Sequence, residues 1–313
     1  MSNNFDMTDS TTLNFVTSQL SHIETQVYKR KYPNIQYREL TPVTTEGHPW
    51  AASITFRNTD DVGKAQWING NSDDIPTVNK TMGQQTQDVH MAGIGYEYGL
   101  EEVNQAKMLG VNLTSDYVVA ARRVSEEFCD KLALYGDASK NITGLTNDPD
   151  VTIVPALAGN NTDNIPWLTK DADEVLADVN NQLAGISIDS LEVEMADTIL
   201  LPLDAFVALS HKRIPGTSMT LYRYIMENNV LKLMYGRDIT IRGVRGLETA
   251  GVGGTSRMVT YRRDPEVLKF HYPHPHKFLK VQHRNLQFVV PGFFRVAGLS
   301  IRVPGAIRYL DGI

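Results

Sequence analysis

The hydrophobic pattern predicts one long amphipathic helix between Gly110 and Gly136. Thr114, Ser115 and Asp116 offer side-chain acceptors to the free amides of a helix start, and Gly136 is typical of a helix end. The apolar residues that recur at three- or four-residue spacing, and so share one face, are Tyr117, Ala121, Val124, Phe128, Leu132 and Tyr135. The opposite face carries alternating charges, which usually mark a solvated helix surface, at Arg122, Arg123, Glu126, Glu127, Asp130 and Lys131.

A narrower apolar stripe lies near the N-terminus. Its members alternate three- and four-residue steps and are Leu13, Val16, Leu20, Ile23 and Val27. The pattern predicts a short helix that ends at Tyr32-Pro33, followed by an extended segment from Ile35 to Leu40. Because so short a helix is marginal alone, we expect its stripe to be buried on its own domain or on a neighbouring subunit.

The segment from Glu46 to His90 is rich in Gly, Asn, Asp, Thr and Gln. Two β-like runs, Trp50–Arg57 and Thr86–Gly93, flank a polar middle that contains several turn signals. This arrangement predicts a long hairpin. Long connections inside a compact protein are usually functional or bound, so we expect this one to contact a partner.

The chain after Pro149 alternates predicted helices and strands, which indicates a second domain and an α+β fold. The predicted helices are Asp171–Gly185, Leu203–Lys212 and Met219–Asn228. The predicted strands are Thr198–Pro202, Asp238–Val244, Arg257–Arg263, Val267–Tyr272, Leu286–Val290 and Leu299–Tyr309. The stretch Gly246–Gly254 predicts a flexible surface turn.

Composition narrows the class of protein. The 313 residues suffice for two domains, and the sequence has no apolar run long enough to span a membrane and no signal-peptide pattern at its start. The single cysteine, Cys129, excludes an intrachain disulfide, and its place in the predicted helix indicates a small packed side chain.

Charge is distributed unevenly along the chain. Residues 1–200 contain 13 Lys or Arg against 29 Asp or Glu, whereas residues 201–313 contain 17 against 7. The two halves either pair between copies of the chain or neutralise each other within one subunit. The formal net charge of -6 argues against a dedicated nucleic-acid reader, which would carry a basic surface.

A family resemblance rests on short motifs in a fixed order. These are Tyr96–Glu102 (YEYGLEE), the long helix, LYGD at its end and GLTN shortly after. The series resembles the major capsid proteins of tailed bacteriophages, whose Johnson fold is shared with encapsulins. The resemblance implies a structural subunit that self-assembles into pentamers and hexamers of an icosahedral phage head enclosing double-stranded DNA.

The resemblance also implies a division of the chain. The expected segments are an N-terminal arm (1–45), an extended hairpin loop (46–92), a peripheral domain with the long spine helix (93–150), an axial domain (151–272) and a return to the peripheral domain (273–313) that ends as a strand beside the spine helix. In the family the arm reaches across the shell, which favours burial of the N-terminal stripe on a neighbour. The loop lies over the adjacent subunit, so Lys64, Trp67 and Ile68 are expected assembly contacts.

The expected partners are further copies of the chain, a separate scaffolding protein, and portal and decoration proteins. The scaffold is expected to be separate because the chain still begins at Met1. DNA would be enclosed without sequence-specific binding, and no membrane or cofactor is expected. The expected location is the capsid of the virion, assembled in the host cytoplasm.

Two alternatives remain. An encapsulin-type nanocompartment would share the fold and enclose protein cargo. A metal-dependent α/β enzyme would use His271, His274 and His276, but prolines interrupt this cluster and it lacks helical ligand spacing. We therefore expect no enzyme activity and predict no catalytic, cofactor or metal residues.

Overall fold

The computed structural model describes residues 32, 34–69, 75–109, 113–156, 167 and 169–313. Residues Ile35–Ile313 form one structural unit with a mixed α+β fold. The predicted N-terminal stripe (Leu13, Val16, Leu20, Ile23 and Val27) lies outside the described residues.

The elements of this unit follow in chain order. They are α1 (Tyr37–Leu40), β1 (Val43–Thr44), β2 (Ser53–Val62), β3 (Asn79–Asp88), β4 (His90–Gly93), β5 (Tyr96–Gly99), α2 (Leu100–Leu109), α3 (Leu113–Tyr135), β6 (Thr152–Pro155), α4 (Ala172–Asp189), β7 (Thr198–Leu201), α5 (Leu203–His211), α6 (Leu221–Asn228), α7 (Val230–Tyr235), β8 (Thr240–Gly243), β9 (Arg257–Tyr261), β10 (Leu268–His271), β11 (His274–Phe278), β12 (Gln282–Arg284), β13 (Gln287–Val290), β14 (Gly292–Val296), β15 (Gly298–Ile301) and β16 (Ile307–Asp311).

The spine helix α3 ends where the sequence predicts, and the GLTN motif explains how. Gly136 adopts a φ of +67°, and a Cβ there would lie 2.2 Å from the carbonyl oxygen of Ile142. The chain then folds back, so that the amides of Leu145 and Thr146 donate to the carbonyls of Ala133 and Leu134. The Asn147 side chain donates to the Tyr135 carbonyl at 2.7 Å. The motif therefore satisfies helix carbonyls that would otherwise lack partners.

The buried face of α3 is rotated from the predicted one. Val124, Phe128 and Tyr135 are 39%, 42% and 38% exposed, whereas Ser125 and Cys129 are almost fully buried. The prediction for these three residues is wrong because α3 packs closely against β15, and close packing favours small side chains. The residues that form the buried face are Ala121, Ser125, Cys129, Leu132 and Ala133.

A five-stranded sheet forms the centre of the second half, in the order β6-β16-β9-β7-β8. Successive residues of β7 alternate between two hydrophobic cores: Ile199 and Leu201 face helices α4–α7, and Leu200 faces the core that contains α3. The predicted helices are confirmed, with Val175 and Leu183 of α4 almost fully buried.

The structure corrects two local predictions. Residues 35–40, predicted to be extended, contain α1, because Asp130 Oδ1 accepts the backbone N–H groups of Gln36 and Tyr37 at 2.8 Å and so stabilises a helix start. The predicted turn Gly246–Gly254 contains two short 3₁₀ helices, and Leu247 within it is fully buried. In both cases the stabilising contacts come from residues that are distant in the sequence.

The last strand, β16, pairs with β6 and β9 in the five-stranded sheet, while β15 packs against α3. Ile307 and Tyr309 of β16 lie in the same buried cluster as Leu132 and Ala133 of α3. Two contacts tie β16 to the loop after α3. Arg257 binds both Asp311 (2.6 and 2.7 Å) and the carbonyl of Thr146 (2.6 Å), and Tyr309 Oη donates to the Leu145 carbonyl at 2.8 Å.

Candidate assembly surfaces

The predicted hairpin is present and longer than its apolar pattern indicates. β2 and β3 pair antiparallel from Ser53 opposite Asp88 to Val62 opposite Asn79. The strands run on through polar residues, including Asp60 and Asp61, because backbone hydrogen bonds hold the ladder without apolar side chains. β3 exposes nearly all of its side chains, and the described residues of β2 are exposed from Arg57 onward, so the ribbon contributes little to the core.

The three predicted assembly residues of the hairpin lie just beyond β2. Lys64, Trp67 and Ile68 are all exposed, and Trp67 is fully so. Further apolar side chains are exposed nearby, at Val62, Ile75, Val78 and Met82. An extended ribbon that exposes a Trp and several aliphatic side chains has the composition of an interaction surface.

The root of the hairpin is fixed to the body. Gln87 Nε2 donates to the carbonyls of Ala297 (2.7 Å) and Leu299 (3.1 Å). On the other strand, the Arg302 guanidinium lies 5.3 Å from the centroid of the Phe56 ring. These contacts hold the base of the ribbon, so its direction is set by the body and not by the ribbon alone.

Two charges of the spine helix have a structural role that the sequence did not reveal. Asp130 accepts the two backbone N–H groups described above, and Glu126 accepts from Tyr37 Oη (2.7 Å) and from the Arg38 guanidinium (2.8 Å). Tyr37 is fully buried, and burial raises the pKa of its hydroxyl far above the ordinary value. The charged face of α3 is thus partly a docking site for the segment that follows Asn34.

An apolar groove of about 390 Å³ lies between the C-terminal half of α4 and α7. Ile188, Leu191 and Met234 line it and are mostly exposed. Leu191 and Glu192 adopt positive φ values of 53° and 66°, and the Glu192 amide donates to the Ser187 carbonyl at 2.7 Å. No pattern in the sequence indicates this groove, because its residues come from distant parts of the chain.

A larger groove of about 690 Å³ lies between α2 and the connection of β12 to β13. Its apolar lining is Leu100, Met108 and Leu286, of which Met108 is 82% and Leu286 71% exposed. The Leu100 amide donates to the Leu286 carbonyl at 2.9 Å, which fixes α2 relative to the β12–β13 hairpin.

The histidines of the alternative metal site each have a separate environment. His271 is buried, and its Nε2 lies 2.9 Å from Ser300 Oγ; burial lowers the pKa of the imidazole to about 4. His274 stacks on Phe293, and His276 Nε2 lies 3.0 Å from the carbonyl of Ile94. Among the described residues, no three His, Cys, Asp or Glu side chains are placed to hold a metal ion.

Cys129 is packed as the sequence predicts. Its side chain is fully buried, and burial raises the pKa of the thiol to about 12. The thiolate, which is the reactive form, is therefore disfavoured at neutral pH.

Within the described part of the chain, no helix is long and apolar enough to cross a membrane.

Comparison with known proteins gives one family match. The profile of a family described as "Major capsid protein" matches residues 63–313, from the hairpin to the end of the chain. Curated protein sequences give no match.

Solved structures share the fold over nearly the whole chain. The capsid of Myoviridae phage XM1 has a TM-score of 0.78 at 20% identity, over 95% of this chain and 98% of that one. A structure from Microbacterium phage Oxtober96 has a TM-score of 0.64 at 11% identity, over 95% and 96%. A virus-like particle from Pyrococcus furiosus has a TM-score of 0.51 at 16% identity, over 87% and 91%.

Proposed function

Because this chain belongs to the major capsid protein family, we propose that its copies form the pentamers and hexamers of an icosahedral phage head around double-stranded DNA. The chain is a structural capsid subunit of a virion, and its family implies a structural role. The match over residues 63–313 carries this conclusion, because it includes the hairpin end, the spine helix and the five-stranded sheet.

The mechanism we propose is self-association through several modest interfaces. The hairpin with Lys64, Trp67 and Ile68 contacts a neighbouring subunit, and the N-terminal stripe (Leu13, Val16, Leu20, Ile23 and Val27) contacts another. Full exposure of Trp67 supports the first contact, because burial of an exposed Trp side chain at an interface is energetically favourable. Repetition of these contacts under closed symmetry leaves no open edge in the shell.

The division into arm (1–45), extended loop (46–92), peripheral domain (93–150), axial domain (151–272) and returning segment (273–313) is part of the proposal. Because β16 lies in the five-stranded sheet, we assign its residues to the axial domain, although by sequence they belong to the returning segment. Assembly takes place in the host cytoplasm with a separate scaffolding protein, a portal and decoration proteins. DNA is enclosed without base-specific contacts.

Electron microscopy of the expressed protein, followed by nuclease treatment, tests this proposal. We expect closed shells, and in particles from infected cells a nucleic acid protected from nuclease. An encapsulin-type shell would instead protect a protein cargo and no DNA. A monodisperse monomer of 34.9 kDa with metal-dependent activity would contradict both shell functions.

A further inference from the structure

The three-stranded sheet in the order β12-β13-β5, together with α2, forms a surface that is largely exposed, although Val290 and Ala106 are buried beneath it. All nine residues from 279 to 287 are exposed, which is the segment that enters the sheet, forms β12 and turns into β13. The groove of about 690 Å³ beside it exposes Leu100, Met108 and Leu286. A continuous exposed segment beside an apolar groove has the features of an interaction site.

The two outer strands of this sheet carry opposite charges. Lys280 and Arg284 lie on or beside β12, and Glu97 and Glu101 lie on β5 and in the first turn of α2. In the described part of the chain, β12 and β5 each pair only with β13, so both outer edges are open. All four charged side chains are exposed.

The strand register places Arg284 and Glu97 on the same face of the sheet. Arg284 is opposite Gln287, which is opposite Gly99, and Glu97 is two residues before Gly99. The two outer strands are two strand spacings, or about 10 Å, apart. Neither side chain has an ion-pair partner among the described residues, so each presents its charge outward.

Aromatic contacts across the strands make this surface rigid. The ring of Phe288 lies 5.5 Å from that of Tyr98 and 4.7 Å from that of His283, so one ladder of rings spans all three strands. On the same face, Tyr96 stacks on Tyr117 of the spine helix at 5.8 Å. A surface held in this way loses little conformational entropy when it binds.

We propose that this sheet is a contact between copies of the chain, in which the acidic β5 edge of one copy lies against the cationic β12 edge of the next. Leu286 and Met108 are then covered at the same contact. The proposal rests on the proposed function, since an assembling subunit places its own surfaces against one another.

The partner at this surface is a second copy, because the acidic edge and the cationic edge that attract each other both lie on this sheet. An unrelated partner of one charge would bind one edge and leave the other exposed. Opposite edges that match each other give a head-to-tail contact, which continues from copy to copy and closes into a ring when the rotation allows. Complementary charge also steers the approach and fixes the register.

Charge exchange tests this contact. The variants are Arg284→Glu, Glu97→Arg, the double variant R284E/E97R, and the control R237E, which changes an exposed arginine after α7. The fraction of protein in closed particles is measured by sedimentation, and the melting temperature of each subunit shows that it folds. We expect each single exchange to lower the particle fraction at least tenfold, the double exchange to restore most of it, and R237E to assemble as the unmodified protein does.

The outcomes separate the contact from the proposed function. If the single exchanges assemble as well as R237E, or if the double exchange is no better than either single one, the contact is wrong while the capsid function stands. An unmodified protein that forms no particles would overturn the proposed function itself. Mixing R284E with the E97R protein adds a further readout, because in an alternating arrangement the two altered edges complement each other.

Discussion

At the scale of single residues, two carboxylates of the spine helix hold the short helix α1 in place. Asp130 binds backbone amides of Gln36 and Tyr37, and Glu126 binds the side chains of Tyr37 and Arg38. The remaining contacts of α1 reach other elements: Tyr261 Oη donates to the Leu40 carbonyl at 2.7 Å. The short helix thus joins the spine helix to the five-stranded sheet.

Removal of the Asp130 carboxylate should destabilise the subunit. In D130A two backbone N–H groups lose a charged acceptor, which we expect to lower the free energy of unfolding by about 1–3 kcal/mol. Chemical denaturation of the purified subunit measures the change. K131A is the matched control, since Lys131 is the exposed neighbour on the same helix and should change stability by less than about 0.5 kcal/mol. Equal stability of the two variants would contradict the anchoring role.

The pattern of charges on α3 predicted a solvated face, and this is wrong for Glu126 and Asp130. Their four-residue spacing is visible in the sequence, but nothing local shows that a segment almost ninety residues earlier supplies the partner. By contrast, the burial of Cys129 agrees with the general tendency of an unpaired cysteine to be packed as a small apolar side chain. Residue roles that depend on distant contacts therefore required the fold.

Burial of His271 gives a pH dependence to stability. The folded-state pKa of about 4 lies below the ordinary value near 6.5, so the unfolded chain gains a proton that the folded protein does not accept. The contribution to stability is fully present above about pH 6.5 and is lost as the pH falls toward about 4.

The variant H271Q removes the titrating group and leaves a polar side chain opposite Ser300. Between pH 7 and pH 4.5 we expect the unmodified subunit to lose more free energy of unfolding than H271Q, by on the order of 2 kcal/mol. Denaturant titrations at several pH values measure both. Parallel pH profiles would contradict this, because they would mean that His271 takes up a proton in the folded protein as readily as in the unfolded chain.

At the scale of elements, helices with a clear periodicity were predictable and their surroundings were not. The pattern of α4 gave both its existence and its buried side, because large aliphatic residues recur at helical spacing. For α3 the same rule selected Val124 and Phe128 over Ser125 and Cys129, because periodicity cannot show that a neighbouring strand approaches closely. The grooves beside α7 and α2 join residues from different elements and had no sequence signal.

The hairpin and the core contain tryptophans with opposite expected roles. In W67A the subunit should keep its stability within about 0.5 kcal/mol, because the side chain is fully exposed, while the yield of closed particles falls. In W167A the subunit itself should lose about 3–5 kcal/mol, because Trp167 is almost fully buried and its Nε1 donates to Asp178 at 3.0 Å.

Thermal unfolding of dissociated subunits and the fraction of sedimenting particles together distinguish the two effects. Trp67 acts as an assembly residue if W67A changes only the particle fraction. Unchanged assembly of W67A would show that Trp67 makes no contact that assembly requires. W167A is the control, because it lowers assembly by destabilising the subunit itself.

At the scale of the whole molecule, the uneven charge of the sequence has a partial structural explanation. Some charged residues pair within the subunit. Arg262 of the second half pairs with Glu194 of the first half, and Arg38 pairs with Glu126 inside the first half. Others, including Glu97 and Arg284, find no ion-pair partner among the described residues. The expectation of pairing within one subunit thus holds for the first group, and the second group is available for the proposed contact between copies.

The order of motifs along the sequence indicated the Johnson fold, and the family match and the shared architecture confirm it. The overall fold was therefore predictable through the family resemblance that these motifs carry. The pairing of β16 with β9 was not, because it depends on sheet order, which local sequence does not encode.

The most direct test of the account is cryo-electron microscopy of the purified protein under assembly conditions. We expect closed particles with icosahedral symmetry, in which each subunit has the fold of residues Ile35–Ile313 and its hairpin lies on an adjacent copy. A homogeneous solution of 34.9 kDa monomers under all such conditions, with Trp67 and Arg284 still exposed to solvent, would contradict it.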